Sequence, residues 1–321
     1  MPFYLRAILD LFLPRECLAC GCRLGLQERH LCLACAADVP YTYHWLSAHN
    51  PLADRFNAVL ERHRPADERM DYAYAVALMH YKGPCRAIPR ALKYHGDLAA
   101  GRFYGGLLGR RLASAPHFAD VDLIIPVPLH WTRRRSRGYN QAEILAQAIC
   151  DAFCHSEGTE GVCYCHSEET EGRRKNLPSS VQCRIDILFR ARRTRTQTKL
   201  TIEQKARNVA SAFQVSFAPS RRDATSHPQH DQTPHPLLDA LLRPWLDALR
   251  HSRLDVFRHS RLDRESPQET LARARHILIV DDTFTTGATL YACYAALRPY
   301  TSARISIATL AAVEGTPSSG P

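Results

Sequence analysis

Two adjacent carboxylates, Asp281 and Asp282, end the apolar run 276–280 (HILIV). They open a loop of hydroxyls and a glycine: Thr283, Thr285, Thr286, Gly287, Ala288 and Thr289. The pattern reads as a buried strand, a tight turn and the start of a helix. In open α/β sheets, ligands gather at the carboxyl ends of strands. Backbone N–H groups at a helix N-terminus make an anion site there. Gly287 lets the backbone approach such an anion closely, and the threonine hydroxyls add donors for phosphate oxygens. The carboxylates repel phosphate, but they can accept hydrogen bonds from sugar hydroxyls beyond it, or hold a metal that holds the sugar. The chemistry that suits this string is recognition of a sugar phosphate.

A second chemical signal lies near the N-terminus. Cys17-x2-Cys20 and Cys32-x2-Cys35 offer two close thiol pairs, which can close a tetrahedral zinc site with Zn–S bonds of about 2.3 Å. Four thiolates leave no open position, so the metal is expected to be structural. A module this short has little core, and bound metal would stabilise it directly. Cys22 is a spare that could replace Cys20, although Cys20 has the better spacing. Cys154, His155, Cys163, Cys165 and His166 form another metal-like set, but they fall in a duplicated polar stretch and are read as no site. No Ser-His-Asp or Cys-His triad stands out.

Elements must position these residues. Residues 1–45 read as a small module, followed by a linker rich in His, Pro and Asn through Pro51. The body starts near Met70, with expected strands at 71–80, 121–127 (VDLIIPV), 183–189, 212–217, 276–280 and 304–310. Expected helices cover 84–93, 98–113, the stretch after Asn140-Gln141-Ala142-Glu143, and the stretch after Gly287. Asn140 with Glu143 three later has capping-box spacing. Strand and helix alternate, which predicts an α/β fold with a mainly parallel sheet over 70–315. Two polar stretches, 154–182 and 219–272, each contain a short duplication and read as insertions.

The chain has 321 residues, 42 Lys and Arg against 32 Asp and Glu, and a net charge of +10. Arg133, Arg134, Arg135 and Arg137 cluster, and seven more basic residues lie between 190 and 207. Such clusters favour phosphate-bearing partners. No apolar run reaches the ~18 residues of a membrane span. The short apolar run 7–13 contains Asp10 and leads to no small-residue cleavage site. The expectation is therefore a cytoplasmic protein, not itself transmembrane, with reduced cysteines.

The segment 277–289 resembles the phosphoribosyl pyrophosphate (PRPP) motif of type I phosphoribosyltransferases. Further segments are similar to one branch, the ComF family associated with natural competence and DNA uptake. They are Leu92-Lys93-Tyr94-His95-Gly96-Asp97, Ile125-Pro126-Val127-Pro128-Leu129, Arg137-Gly138-Tyr139-Asn140-Gln141, Arg193-Thr194-Arg195-Thr196-Gln197 with Leu200 and Arg207-Asn208-Val209, and the paired cysteines. Tyr139 stands where that family usually has Phe. The resemblance implies a phosphoribosyltransferase-like sheet with flanking helices and a zinc-ribbon-like module. It implies that Asp281 and Asp282 contact the ribose 2- and 3-hydroxyls as the catalytic pair, and that 283–289 cradle the 5-phosphate. Pro126, Val127 and Pro128 would face pyrophosphate, with Arg133 and Arg137 as cations. Arg193, Gln197 and Lys199 would sit on a lid. Zn2+ would be structural and Mg2+ would come with PRPP. Two functions follow as expectations. One is an enzyme moving a phosphoribosyl group. The other is a non-catalytic protein that handles single-stranded DNA beside competence proteins at the inner membrane.

Overall fold

In a computed structural model of the chain, the structure describes residues 14–63, 71–155, 181–191, 212–216 and 265–314. The expected lid residues Arg193, Gln197 and Lys199 lie outside them, as do most of both expected insertions.

Five strands form one sheet: β1 Ala75–His80, β2 Leu123–Pro126, β3 Gln182–Cys183, β6 His276–Phe284 and β7 Arg304–Ala312. Its order is β1-β7-β6-β2-β3, and every neighbouring pair is parallel. Two short strands, β4 Leu188–Arg190 and β5 Phe213–Val215, pair antiparallel as a separate ribbon. The runs Leu123–Pro126 and Ile277–Val280 are apolar throughout because both faces of the sheet are covered.

Helices fill the gaps: α1 Leu33–Ala37, α2 Pro51–Glu61, α3 Ala87–Arg90, α4 Leu98–Ala113, α5 Trp131–Arg137, α6 Gln141–His155, α7 Pro267–Arg273 and α8 Ala288–Leu297. One face of the sheet (Leu78, Leu278, Val280, Leu310) packs on Tyr104, Leu108 and Leu112 of α4 and on Leu145 and Ile149 of α6. The other face (Ile277, Ile279, Ile305, Ile307) meets Leu52, Phe56 and Leu60 of α2, Leu290, Cys293 and Leu297 of α8, Leu271 of α7, and the β4–β5 ribbon.

Several local outcomes differ from the sequence reading. The stretch 51–61, between the end of the expected linker and the expected start of the body, is a helix. Asn50 caps it by accepting from Leu52 and Ala53 N–H, and Pro51 sits in the first turn where its missing N–H costs nothing. The expected helix 84–93 breaks into a 3-10 turn over Gly83–Arg86, α3, and a π turn over Ala91–His95. Pro84 and Pro89 withdraw two donors from that stretch. Part of the second expected insertion is ordered as α7. There Ser266 and Glu269 form a capping box, and Leu271 is fully buried. The N-terminal module also shares a core with the body: Cys17, Leu24, Leu31 and Cys32 belong to the same buried cluster as Tyr104 and Leu108. Among the described residues, no helix is long and apolar enough to cross a membrane.

Helices α4 and α6 approach closely because α4 presents glycines to α6. A Cβ on Gly109 would lie 2.7 Å from the Ala152 Cβ and 2.8 Å from the Ile149 Cα, backbone that cannot step aside. Gly106 faces only the end of the Arg110 side chain, at 3.5 Å. Gly109→Ala is therefore expected to destabilise the fold by about 1–3 kcal/mol, whereas Gly106→Ala is neutral or stabilising by up to about 1 kcal/mol. Denaturant unfolding of the two variants checks this contrast.

Candidate ribose-phosphate site and metal centre

Strand β6 carries both carboxylates at its carboxyl end and continues through them to Phe284. Successive strand residues face opposite sides, so the two side chains part. Asp282 shares the side of Leu278 and Val280, is 4% exposed, and lies 2.9 Å from the Lys93 Nζ through its Oδ2. That contact is an ion pair between a buried carboxylate and a partly exposed ammonium. Lys93 comes from the π turn and also reaches the Thr283 Oγ1 at 3.4 Å. Asp281 faces the other side, toward Arg190 and Cys293. Some of its surface is exposed, but its carboxyl is enclosed. Burial first, and the neighbouring Asp282 charge second, push the carboxyl up to about 7. The Asp282 N–H, which donates to Asp281 Oδ1 at 2.8 Å, and the Lys93 and Arg190 charges pull the other way.

Beyond the strand the chain turns through Thr285, Thr286 and Gly287 into α8. Gly287 has φ +78°, the left-handed region that favours glycine. A Cβ there would press on the Phe284 ring at 3.0 Å. Gly287 opens α8 without a side-chain cap, so the first-turn N–H groups of the helix get no partner from that position. Thr285 and Thr286 are exposed, and Ala288 and Thr289 are half-buried.

The Pro126-Val127-Pro128 turn lies beside this strand end. Pro126 is in register with Val280, and the Val127 N–H donates to the Val280 carbonyl at 2.8 Å. Asn140 secures the turn: its Nδ2 donates to the Val127 carbonyl at 3.0 Å while its Oδ1 accepts from the Ala142 N–H. Glu143 completes the arrangement by a different route from a capping box, accepting from the Asn140 side chain rather than its backbone. On α5, Arg134 pairs with Glu143 at 2.7 Å and Arg137 donates to the Gln141 Oε1 at 2.6 Å, while Arg133 and Arg135 are exposed. The sequence-predicted cations thus split. Arg137 is engaged on its own helix-to-helix turn, and Arg133 lies close enough to Arg190 for the two charges to repel.

Lys93, Arg190 and Arg55 were not singled out as site residues from sequence. Lys93 sits in a quoted segment, and a lone basic residue in it gave no sign of which carboxylate it would meet. Arg190 starts the basic run expected to form the lid, but its approach to Asp281 depends on the β4–β5 ribbon. Arg55 lies between the expected linker, which ends at Pro51, and the expected start of the body near Met70.

Similarity to characterised proteins bears on this arrangement. No family model matches the chain. It is similar to Competence protein F of Haemophilus influenzae, with 25% identity over 219 residues, which is 65% of this chain and 82% of that protein. The similarity supports ComF family membership.

At the N-terminus, Cys17, Cys20, Cys22 and Cys32 bring their sulfurs within 4.8 Å of one another, with Cys20 and Cys32 3.7 Å apart. Zn–S bonds of about 2.3 Å at tetrahedral angles put sulfurs about 3.8 Å apart, so the cluster can hold a metal ion such as zinc. The four-sulfur set differs from the expected one in containing Cys22 in place of Cys35. A turn with Gly21 at φ +73° folds Cys22 back, its carbonyl accepting from the Cys17 N–H at 2.8 Å. Cys35, on α1, still interacts with the Cys17, Cys20 and Cys32 thiols. Burial raises the Cys17 thiol, but N–H groups of Cys20, Cys32 and Ala19 outweigh it and bring the thiol down to about 6, toward the thiolate a metal needs.

One Ser-His-Asp chain does occur among the described residues. Asp120 Oδ1 lies 2.6 Å from His276 Nδ1, and His276 Nε2 lies 2.7 Å from Ser306 Oγ. It sits at the amino end of β6, opposite the carboxylates, with His276 and Ser306 both 0% exposed. No substrate can reach that hydroxyl; the chain satisfies polar groups buried at the foot of the sheet.

Two outcomes follow. Cys17, Cys20 and Cys32 belong to both possible four-thiol sets. The protein is expected to carry about one zinc per chain, to lose it in Cys17→Ser or Cys32→Ser, and to retain it in Cys22→Ser and Cys35→Ser taken singly; metal analysis of the purified variants decides. For Asp281, a carboxyl held near 7 in the fold and near the ordinary 3.8 when unfolded is destabilising above pH 4, because only the unfolded chain releases the proton easily. Asp281→Asn should therefore match wild type near pH 4 and gain on it by up to about 1.4 kcal/mol per pH unit until a plateau above pH 7. Unfolding midpoints across that range measure the difference.

Proposed function

We propose that the chain binds PRPP or a related ribose phosphate at the carboxyl end of β6 and works in natural competence. The observation that carries this reading is the junction itself: two carboxylates at the head of a central buried strand that ends at Phe284, and, three residues beyond that end, a helix opening on Gly287. The helix N-terminus and the Thr283–Thr289 loop suit a 5-phosphate, and the carboxylates suit ribose hydroxyls. The parting of Asp281 and Asp282 gives them unequal parts. Asp282 is buried and charge-paired with Lys93, whereas Asp281 keeps part of its surface open, so Asp281 is the more accessible hydroxyl acceptor and Asp282 anchors the site through Lys93. The similarity to a protein named Competence protein F supports the link to competence.

If the site turns over, a phosphoribosyl group passes from PRPP to an acceptor and pyrophosphate leaves beside the Pro126–Pro128 turn. Mg2+ would arrive with the diphosphate. Arg133 and the lid residues Arg193, Gln197 and Lys199 would meet the charge that builds on the leaving group.

A second reading, the handling of single-stranded DNA without turnover, has its own observation. Tyr94 is 72% and Trp131 64% exposed, the Arg137 guanidinium lies 5.9 Å over the Tyr94 ring, and exposed Arg133 and Arg135 follow Trp131 on α5. Aromatic faces with interleaved cations suit unpaired bases and their phosphates.

Calorimetric titration with PRPP, with and without Mg2+, tests the first reading. Saturable binding is expected for wild type, with a loss of at least about 100-fold in the double variant Asp281→Asn, Asp282→Asn while circular dichroism stays native. Equal affinity in both proteins rejects the ligand. Steep loss of DNA affinity with salt, indifferent to PRPP, favours the second reading.

A further inference from the structure

Helix α2 is packed against the back of the Thr283–Gly287 loop, and three contacts come from one of its residues. The Arg55 Nη2 donates to the Thr285 carbonyl at 2.8 Å, its Nη1 donates to the Val313 carbonyl at 2.6 Å, and its guanidinium carbon lies 5.1 Å above the Phe284 ring. One turn on, Val59 lies 3.6 Å from where a Gly287 Cβ would be. Residues four apart share a helix face, so Arg55 and Val59 together back the loop. Val313 in turn donates its N–H to the Phe284 carbonyl at 2.9 Å, which closes a ring of contacts from α2 through the end of β7 to the end of β6.

We infer that Arg55 is the positioning residue for the phosphate cradle, setting the direction of the Thr286 N–H through its hold on the Thr285 carbonyl. A trans peptide places its C=O and N–H on opposite sides. Thr285 C=O is drawn toward α2, so Thr286 N–H points away from it, toward the side a ligand can reach. The planar guanidinium fork suits this task because it holds two carbonyls at once in a fixed geometry, which an ammonium cannot copy. Its permanent charge also adds positive potential behind the loop. The inference rests on the ribose-phosphate reading for its ligand, but the geometry it asserts belongs to the loop alone.

Two measurements separate them. In the first, ribose 5-phosphate is titrated into the full chain. Arg55→Ala is expected to weaken binding by at least about tenfold, the worth of one charge-assisted hydrogen bond. Arg55→Lys is expected to share most of that loss, and millimolar methylguanidinium to restore much of the affinity of Arg55→Ala but not of Arg55→Lys. In the second, amide hydrogen exchange is followed without ligand. Arg55→Ala should speed exchange at Thr286 and Gly287 while leaving Ile277–Val280 protected. Unchanged exchange at Thr286 and Gly287 overturns the positioning role whatever the ligand, and so does wild-type affinity in Arg55→Ala. Failure of wild type itself to bind ribose 5-phosphate, with exchange altered as expected, rejects the ligand and leaves the positioning role standing.

Discussion

A carboxylate buried at the head of an apolar strand calls for a countercharge, and here the Lys93 Nζ lies 2.9 Å from Asp282. Burying a charge is costly unless a partner meets it, and Asp282 is buried while Lys93 keeps a water-facing side, so the segment that delivers Lys93 matters to the strand end. Several contacts hold it. The Tyr139 hydroxyl donates to the Leu92 carbonyl, and Leu92 itself is fully buried. Gly96 ends the π turn in the left-handed region, and Asp97 then caps α4 by accepting from the Ala100 N–H at 2.9 Å. The same Asp97 faces His30 of the cysteine module at 3.8 Å, and His30 packs on Phe103 and Tyr104. The cysteine module is therefore packed on α4 and its cap, directly after the turn that carries Lys93.

The sheet order does the rest. With β6 between β7 and β2, the ends of three parallel strands lie side by side. The acidic pair has the Pro126–Pro128 turn on one flank and the Ala312–Glu314 exit of β7 on the other. Each flank is secured by a buried or half-buried polar side chain bonded to main-chain carbonyls: Asn140 on Val127, Arg55 on Val313 and Thr285. For the ribose-phosphate binding proposed above, this would settle the alignment of the loop's dipoles before ligand arrives.

Much of this was legible in the sequence because it depends on short-range pattern. Apolar runs with β-branched residues mark 123–126 and 276–280 as covered strands. Gly287 after two threonines marks the turn, and paired cysteines mark the sulfur cluster. What escaped depends on partners distant in the chain. The fourth thiol could not be chosen from spacing, because the Gly21 turn brings Cys22 to the cluster. Helix α2 was hidden by a His- and Pro-rich approach, and its importance depends on Arg55 meeting carbonyls 230 and 258 residues away. The parting of Asp281 from Asp282 follows from β6 continuing two residues beyond them in register with β7, and two adjacent acids alone do not announce whether a strand or a loop holds them. The Asp120–His276–Ser306 chain likewise joins residues from three separate segments.

The most direct test of a ribose-phosphate seat is a crystal structure of the chain soaked with ribose 5-phosphate. The account predicts the phosphate over the first turn of α8, within hydrogen-bond reach of the N–H groups after Thr285, and a ribose hydroxyl on the carboxylate pair Asp281 and Asp282. Phosphate bound elsewhere with that turn left bare, or a sugar that contacts neither Asp281 nor Asp282, would contradict it.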